Sequence, residues 1–190
     1  MTMEQGKPVI EAKGEIMHSA DTFEWFAEEG KRAYGQVIPH GQPGRRHLTV
    51  KHPVGVVAAI SPWNFPLAIF LGQVSAALAA GNTVIAKPAE QTCLVGYRAV
   101  QLAHEAGIPT DVLQFLPGTG AVVGSALTAD ERIGGVCFTG STGTAKLINR
   151  TLANRDGAII PLIAETGGQN AMVVDSTSQP EQVVNDVVSS

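Results

Sequence analysis

Two turns of the sequence combine glycine with hydroxyl side chains at points where an apolar run ends. Gly118-Thr119-Gly120 follows one such run, and Phe138-Thr139-Gly140-Ser141-Thr142 follows another. Helical periodicity begins after each turn, and the free amides of a helix N-terminus attract phosphate. The pattern indicates a nucleotide site. Because Gly118, Gly120 and Gly124 are spaced one residue too far for the dinucleotide fingerprint, ordinary strand-to-helix turns remain an open alternative.

Four further polar side chains stand directly after apolar runs. They are Asn64 within Pro62-Trp63-Asn64-Phe65-Pro66, Lys87 and Glu90 within residues 87–92, and Glu165 at the start of residues 165–168. Carboxyl ends of parallel strands share one edge of a sheet, so such side chains can converge there. Taken singly, Asn64 is more simply a helix cap and Glu165 a surface charge, whereas Lys87 and Glu90 fit a solvated pair and a binding role equally well.

The elements that would position these residues follow from hydrophobic periodicity. After Pro53, short apolar runs alternate with amphipathic segments, which predicts an α/β fold with a Rossmann-like parallel sheet and helices on both faces. The predicted strands are residues 55–60, 83–86, 113–116, 135–138, 162–164 and 171–174, and the predicted helices are residues 67–80, 92–106 and shorter segments after Gly120, Ser141 and Ser178,.

The N-terminal part has a different character. Val9, Ala12, Ile16, Ala20, Phe23 and Ala27 form one apolar stripe, which predicts a long helix over residues 8–34 that Gly35 terminates,. A Gly- and Pro-rich loop over residues 36–45 and a strand over residues 48–51 are expected next. We therefore divide the chain into an N-terminal segment, residues 1–52, and a cofactor-binding domain, residues 53–190.

Composition excludes several classes of function. The 190 residues carry 13 Lys and Arg against 17 Asp and Glu, so a phosphate-seeking basic surface is absent and nucleic acid is an unexpected partner,. No apolar stretch is long enough for an integral membrane segment. The five histidines lack ligand-like spacing, so no metal is expected,. With only two cysteines and no secretory signal, we expect a cytoplasmic protein,.

In combination, the motifs at residues 62–66, 87–92, 138–142 and 165–168 resemble the aldehyde dehydrogenase superfamily in order and spacing. The resemblance extends from the first predicted helix to Ser190. It implies an NAD(P)-dependent oxidation of an aldehyde to a carboxylate on the Rossmann-like domain of that fold. Since the predicted C-terminal helix stops without a cap or a following strand, the chain is expected to be a truncated form of the fold that lacks the catalytic domain.

The resemblance implies a role for each matching residue. Asn64 would donate its amide to the oxyanion formed from the aldehyde, and Glu165 would activate the water that releases the acid. Lys87 and Glu90 would hold the adenosine ribose, where the carboxylate repels a 2′-phosphate and favours NAD over NADP. Ser141 would contact the pyrophosphate. The other implied cofactor-binding residues are Ser61, Pro62, Trp63, Gly118, Phe138, Thr139, Gly140, Thr166 and Gly167.

The family's nucleophile is a cysteine that lies downstream of the glutamate, and no cysteine follows Glu165 in this sequence,. Cys93 lies near a predicted helix start, which can lower a thiol pKa, but a packed or idle thiol is the favoured interpretation. Cys137 falls within a predicted buried strand. We therefore expect this chain alone to be inactive and to bind cofactor at most.

Two stretches favour different aldehydes. Residues 3–55 resemble succinate-semialdehyde dehydrogenases, whereas residues 60–172 are similar to the glutamate-semialdehyde (pyrroline-5-carboxylate) dehydrogenase module of bifunctional proline-utilisation proteins. The second resemblance is longer and closer, so glutamate 5-semialdehyde is the favoured substrate. A non-catalytic nucleotide-binding or assembly module is the alternative from another class. The full-length protein is expected to self-associate.

Overall fold

A five-stranded parallel sheet forms the centre of the structure, a computed structural model that describes residues 1–189. Its strands are arranged in the order β5-β4-β3-β6-β7. Their bounds are β3 Val56–Ile60, β4 Thr83–Lys87, β5 Leu113–Phe115, β6 Ile133–Thr139 and β7 Leu162–Glu165. The predicted α/β class and the parallel sheet are confirmed.

Helices cover both faces of this sheet, as the continuous apolar runs of its strands require. One core cluster joins Val57 and Ala59 of β3 to helices α3 (Ala68–Ala79) and α4 (Cys93–Glu105). The alternate residues Ala58 and Ile60 face a second cluster with α5 (Ser125–Ala129) and α6 (Thr142–Ala153). Short 3-10 and π-helical turns, Glu90–Thr92 and Gly120–Gly124, precede α4 and α5.

One predicted strand is wrong. Residues 171–174 have no regular structure, and Val173 is 92% exposed. A strand needs a neighbour for its backbone hydrogen bonds, and within residues 1–189 the sheet ends at β7 with no partner for this segment,. The helix predicted beyond it does form, as α7 (Pro180–Ser189).

The N-terminal segment differs from its prediction in three ways. It begins with an unpredicted helix α1 (Thr2–Gln5), and the long helix α2 (Val9–Gly30) ends before residue 34. The expected loop includes strand β1 (Gln36–Ile38), which pairs antiparallel with β2 (His47–Thr49). Gly35 serves this hairpin rather than the helix end, because a Cβ there would lie 1.7 Å from the Thr49 carbonyl oxygen. The division at residue 52 stays a prediction.

The buried face of α2 is not the apolar stripe that the sequence indicates. The structure buries Ala12, Glu15 and Ser19, whereas Ile16 is 50% exposed. Glu15 is tolerated inside because Lys7, also buried, forms an ion pair with it,. The helix packs closely along α3, since a Cβ added to Gly30 would lie 3.2 Å from the Ala79 carbonyl oxygen.

Asn82, between α3 and β4, connects the segment before β3 to the end of α3. Its Oδ1 accepts hydrogen bonds from the amides of Val54 (2.7 Å) and Gly55 (3.2 Å), and its Nδ2 donates to Ala77 O (3.1 Å). The side chain therefore fixes the entry into the central strand β3.

The substitution Asn82→Ala is expected to lower the free energy of unfolding by roughly 2 kcal/mol, because it removes three hydrogen bonds made by a buried side chain,. Urea unfolding at equilibrium measures this loss. The matched control Asn149→Ala, on the exposed side of α6, is expected to change the value by less than about 0.5 kcal/mol,. Equal losses in both variants would contradict this account of Asn82.

Candidate functional site

A cleft of about 500 Å³ lies at the carboxyl ends of β3, β4, β6 and β7. Strand register brings these ends side by side: Ile60 is paired with Lys87 on one side and with Phe138 on the other, and Thr139 is paired with Glu165. Residues that follow these positions therefore emerge at one edge of the sheet.

The structure brings together all the predicted site residues except Gly118. The lining of the cleft contains Ser61, Pro62, Trp63, Asn64, Lys87, Glu90, Phe138, Thr139, Gly140, Ser141, Glu165, Thr166 and Gly167. The four motifs, which are separated by up to about a hundred residues in the chain, thus form one surface. Their individual roles stay predictions.

Gly118 lies outside this lining, and Gly120 takes a place in it. Glycine is required at position 118 by the packing of its own turn and not by contact with the cleft, because a Cβ there would lie 2.4 Å from Cγ2 of Val123. Both glycines lie in the same predicted turn, and only the path of the folded backbone determines which of them lines the cleft.

Several lining residues carried little or no sequence signal. Thr144 follows Ser141 by one helical turn, a spacing from which its position in the lining can be anticipated. Ile60 and Ile69 also contribute, as do Ala89 and Gln91, which belong to the predicted motif at residues 87–92. Below the cleft, the side-chain amide of Gln73 on α3 donates to Thr139 Oγ1 at 3.1 Å and thereby fixes that hydroxyl. A lone glutamine in an apolar helix gave no indication of this contact.

Lys87 is a buried cation at the end of β4. Its Nζ donates to Pro88 O at 2.9 Å and lies 4.0 Å from Oε2 of Glu90, whose side chain is 46% exposed. Burial lowers the pKa of Lys87, and the neighbouring Glu90 carboxylate opposes that shift,. The two side chains therefore form a loose pair in which a hydroxyl-rich ligand can reach both charges.

The turn after β6 is shaped by its aromatic residue. A Cβ at Gly140 would lie 2.6 Å from Cζ of Phe138, and the Gly140 amide donates to Glu165 O at 3.1 Å. Ser141 caps α6, since its Oγ accepts the Thr144 amide at 3.2 Å,. The turn presents backbone and a hydroxyl at a helix N-terminus, an arrangement that suits an anionic group.

Asn64 does not cap a helix, so the simpler interpretation of this residue is wrong. Helix α3 begins after Leu67 without a capping side chain of its own. The Asn64 backbone carbonyl accepts a hydrogen bond from Lys7 Nζ at 2.8 Å, while its exposed side-chain amide is bonded to no described residue. The amide is thus available to a ligand in the cleft.

Glu165 ends β7 with an exposed carboxylate, and neither cysteine joins it in the lining. Cys137 packs against the core on the α3 face, where burial raises its thiol pKa. Burial likewise raises the pKa of Cys93, more than the nearby Lys87 lowers it. The raised pKa favours the interpretation of Cys93 as an idle thiol over activation by the helix start.

Within residues 1–189, no cluster of three or more His, Cys, Asp and Glu side chains has an arrangement that can hold a metal ion. Over the same described range, no helix has both the length and the apolar character needed to cross a membrane.

The sequence model of the aldehyde dehydrogenase family matches residues 1–190. The bifunctional protein PutA of Klebsiella aerogenes is 48% identical over 193 residues, which cover 100% of this chain and 14% of that protein. The Escherichia coli succinate-semialdehyde dehydrogenase (NADP(+)) GabD is 41% identical, with 100% and 39% covered. A crystal structure of bifunctional proline utilization A superimposes with a TM-score of 0.91 at 52% identity, covering 99% and 19%.

The chain therefore belongs to the aldehyde dehydrogenase family, a family of NAD(P)-using oxidoreductases. It spans about a seventh of the length of the PutA relative and about two fifths of the semialdehyde dehydrogenase.

The Phe138–Gly140 contact predicts opposite effects for two neighbouring glycines. Gly140→Ala is expected to lower the free energy of unfolding by about 1–3 kcal/mol, because the buried Phe138 ring must move,. Gly143→Ala, in the first turn of α6, is expected to raise the free energy of unfolding by about 0.5–1 kcal/mol, because its Cβ would meet only Ser141 Oγ at 4.0 Å,. Chemical denaturation measures both, and a stabilising Gly140→Ala would refute the contact.

Proposed function

We propose that this chain is the cofactor-binding portion of an NAD-dependent aldehyde dehydrogenase that oxidises a small acidic semialdehyde, glutamate 5-semialdehyde in preference, to its carboxylate. The observation that carries the proposal is the convergence of four sequence motifs on one cleft at the carboxyl ends of β3, β4, β6 and β7. In open α/β sheets, nucleotides bind at this kind of crevice.

The residues of the cleft fit a dinucleotide. Lys87 and Glu90 offer a donor and an acceptor to the adenosine ribose, and Ser61 has a buried hydroxyl without a partner beside them. Two neighbouring helix starts already hold protein carboxylates: Glu4 accepts the amides of Leu94 and Val95 at α4, and Glu15 caps α3. We assign the pyrophosphate to the start of α6 at Ser141, where a hydroxyl lies beside the helix amides in the lining of the cleft,.

Bound NAD would supply the acceptor for the hydride that leaves the aldehyde carbon. Asn64 would orient its free amide towards the aldehyde oxygen, on which negative charge develops when a nucleophile adds to the carbonyl carbon before the hydride leaves. Glu165, across the cleft on β7, would hold the proton taken from the water that completes the conversion to the acid. Their presence in one lining supports this division of roles.

The cleft lacks one group that the family reaction needs. No lining residue has a thiol, and the pKa values of both cysteines are raised by burial. A nucleophile would have to come from outside this lining, and we propose that the chain by itself binds cofactor without turnover,.

The choice of substrate rests on relatedness. The PutA relative is the more similar of the two sequences, and GabD carries succinate semialdehyde in its name, so succinate semialdehyde is the second candidate. GabD also carries NADP(+) in its name, so NADP is the second cofactor candidate. Self-association of the full-length protein stays a prediction, which the edge position of β7 and the 60% exposure of Ile163 favour.

Isothermal titration is expected to detect NAD binding with a Kd on the order of micromolar, and weaker binding of NADP because Glu90 repels its 2′-phosphate. Glu90→Gln is expected to narrow the ratio of the two affinities by about tenfold, or about 1.4 kcal/mol. The control Glu24→Gln, exposed on α2, leaves the ratio unchanged. A chain that binds neither cofactor would instead favour an assembly module.

Turnover offers a second test. The isolated chain is expected to form no NADH from glutamate 5-semialdehyde or succinate semialdehyde, since no cleft residue can form the covalent intermediate. Absorbance at the NADH band measures this, with a complete semialdehyde dehydrogenase as the positive control. Steady NADH formation by the isolated chain, lost in a variant that lacks Cys93, would overturn the assignment.

A further inference from the structure

Lys7 and Glu15 form an ion pair buried beneath the loop that carries Asn64. Lys7 is 9% exposed and Glu15 is 5% exposed, and the two charged groups are in direct contact. Removing two charges from water is costly, and apolar residues of the same size often give equal or greater stability. Stability alone therefore does not account for this buried pair. The groups that each side chain contacts indicate its role.

The Glu15 carboxylate reaches the start of α3. Its Oε1 accepts hydrogen bonds from the amides of Leu67 at 2.8 Å and Ala68 at 3.0 Å. These amides have no intrahelical partner, and a carboxylate there also interacts favourably with the helix dipole. Glu15 thus acts as the cap that α3 lacks locally, across 52 residues of sequence.

Lys7 reaches the loop that precedes α3. Its Nζ donates to the Asn64 carbonyl at 2.8 Å and lies 3.9 Å from the centre of the Phe65 ring, within the range of a cation–π interaction,. Asn64 makes no other hydrogen bond to the described residues. The loop is otherwise held at its ends, by the Ser61 amide on Lys87 O and the Ile69 amide on Phe65 O.

We propose that Lys7 and Glu15 are positioning residues, which hold the backbone of Asn64 from behind so that its side-chain amide stays at the cleft. The value of this position for the reaction rests on the proposed function. The holding itself does not, because it is a property of the chain without ligand. Glu15 fixes the helix start, Lys7 is oriented by Glu15, and Lys7 in turn fixes the one backbone group of Asn64 that is bonded.

Trp63 provides a spectroscopic probe of this loop. It precedes Asn64 and is 53% exposed, and Trp25→Phe removes the other tryptophan of the sequence. In this background, time-resolved fluorescence anisotropy reports the local motion of Trp63 on the nanosecond scale.

The test uses variants that separate stability from positioning. Lys7→Met alone leaves Glu15 buried and unpaired, so a strong loss of stability is expected. In Lys7→Met with Glu15→Gln, both charges are gone, and the glutamine oxygen can still accept from Leu67 and Ala68. This double variant is expected to keep its thermal midpoint within about 5 °C while the residual anisotropy of Trp63 falls. Lys31→Met, which removes an exposed pair with Glu28, is the control and changes neither,.

A double variant that folds and retains the residual anisotropy of Trp63 would overturn the positioning role. Amide exchange gives a second measurement: Lys7→Met with Glu15→Leu, which removes both charges and the cap, is expected to accelerate exchange at Leu67 and Ala68 by about tenfold relative to the amides of α6, because these two amides lose their acceptor,. The proposal would also be overturned if the variant left the exchange rates of the Leu67 and Ala68 amides unchanged relative to those of α6. Since neither measurement includes cofactor, failure here is distinct from failure of NAD binding.

Discussion

The structure depends on the position in the sheet at which the order of successive strands reverses. From β3 the chain proceeds outward to β4 and β5, then returns past β3 to form β6 and β7 on the other side. The segments that leave β3 and β6 therefore diverge towards opposite faces and open a crevice between them. Each motif that contains candidate catalytic or binding residues follows a strand at this crevice, so the topology of the sheet brings the site residues together.

The N-terminal segment contributes two carboxylates to the helix starts around this crevice. Glu15 and Glu4 occupy the starts of α3 and α4, the helices that follow β3 and β4. Both carboxylates satisfy backbone amides that would otherwise face solvent or a ligand. We propose that an anionic ligand binds at the helix start at Ser141, on the other side of the crevice, where a hydroxyl joins the backbone amides,. The segment before the sheet is thus part of the architecture of the site.

Much of the fold could be predicted from the sequence because parallel strands buried on both faces appear as continuous apolar runs. The strands around Ala58, Ile85 and Val136 follow this rule. The cleft could be predicted because its motifs end such strands. The expectation for residues 171–174 was wrong because an apolar run alone does not supply a neighbouring strand.

The remaining errors have a common physical origin in contacts distant along the chain. The buried face of α2 contains Glu15, which no periodicity rule places inside, because its compensation comes from Lys7 and from the amides of α3. The strand at Val37 requires Leu48 opposite to it. Gly118 and Gly120 are equivalent in the sequence until the contact of Gly118 with Val123 separates them. Such pairings exist only in the folded chain.

We propose that a dinucleotide occupies the crevice at which the order of the strands reverses. Nuclear magnetic resonance of the isotope-labelled chain, titrated with NAD, tests it most directly. The largest changes in amide chemical shift are expected at Gly140, Ser141 and Glu90, with no change in the apolar groove between α2 and α4 at Phe23 and Leu102. Shift changes confined to that groove, with none at the crevice, would contradict it.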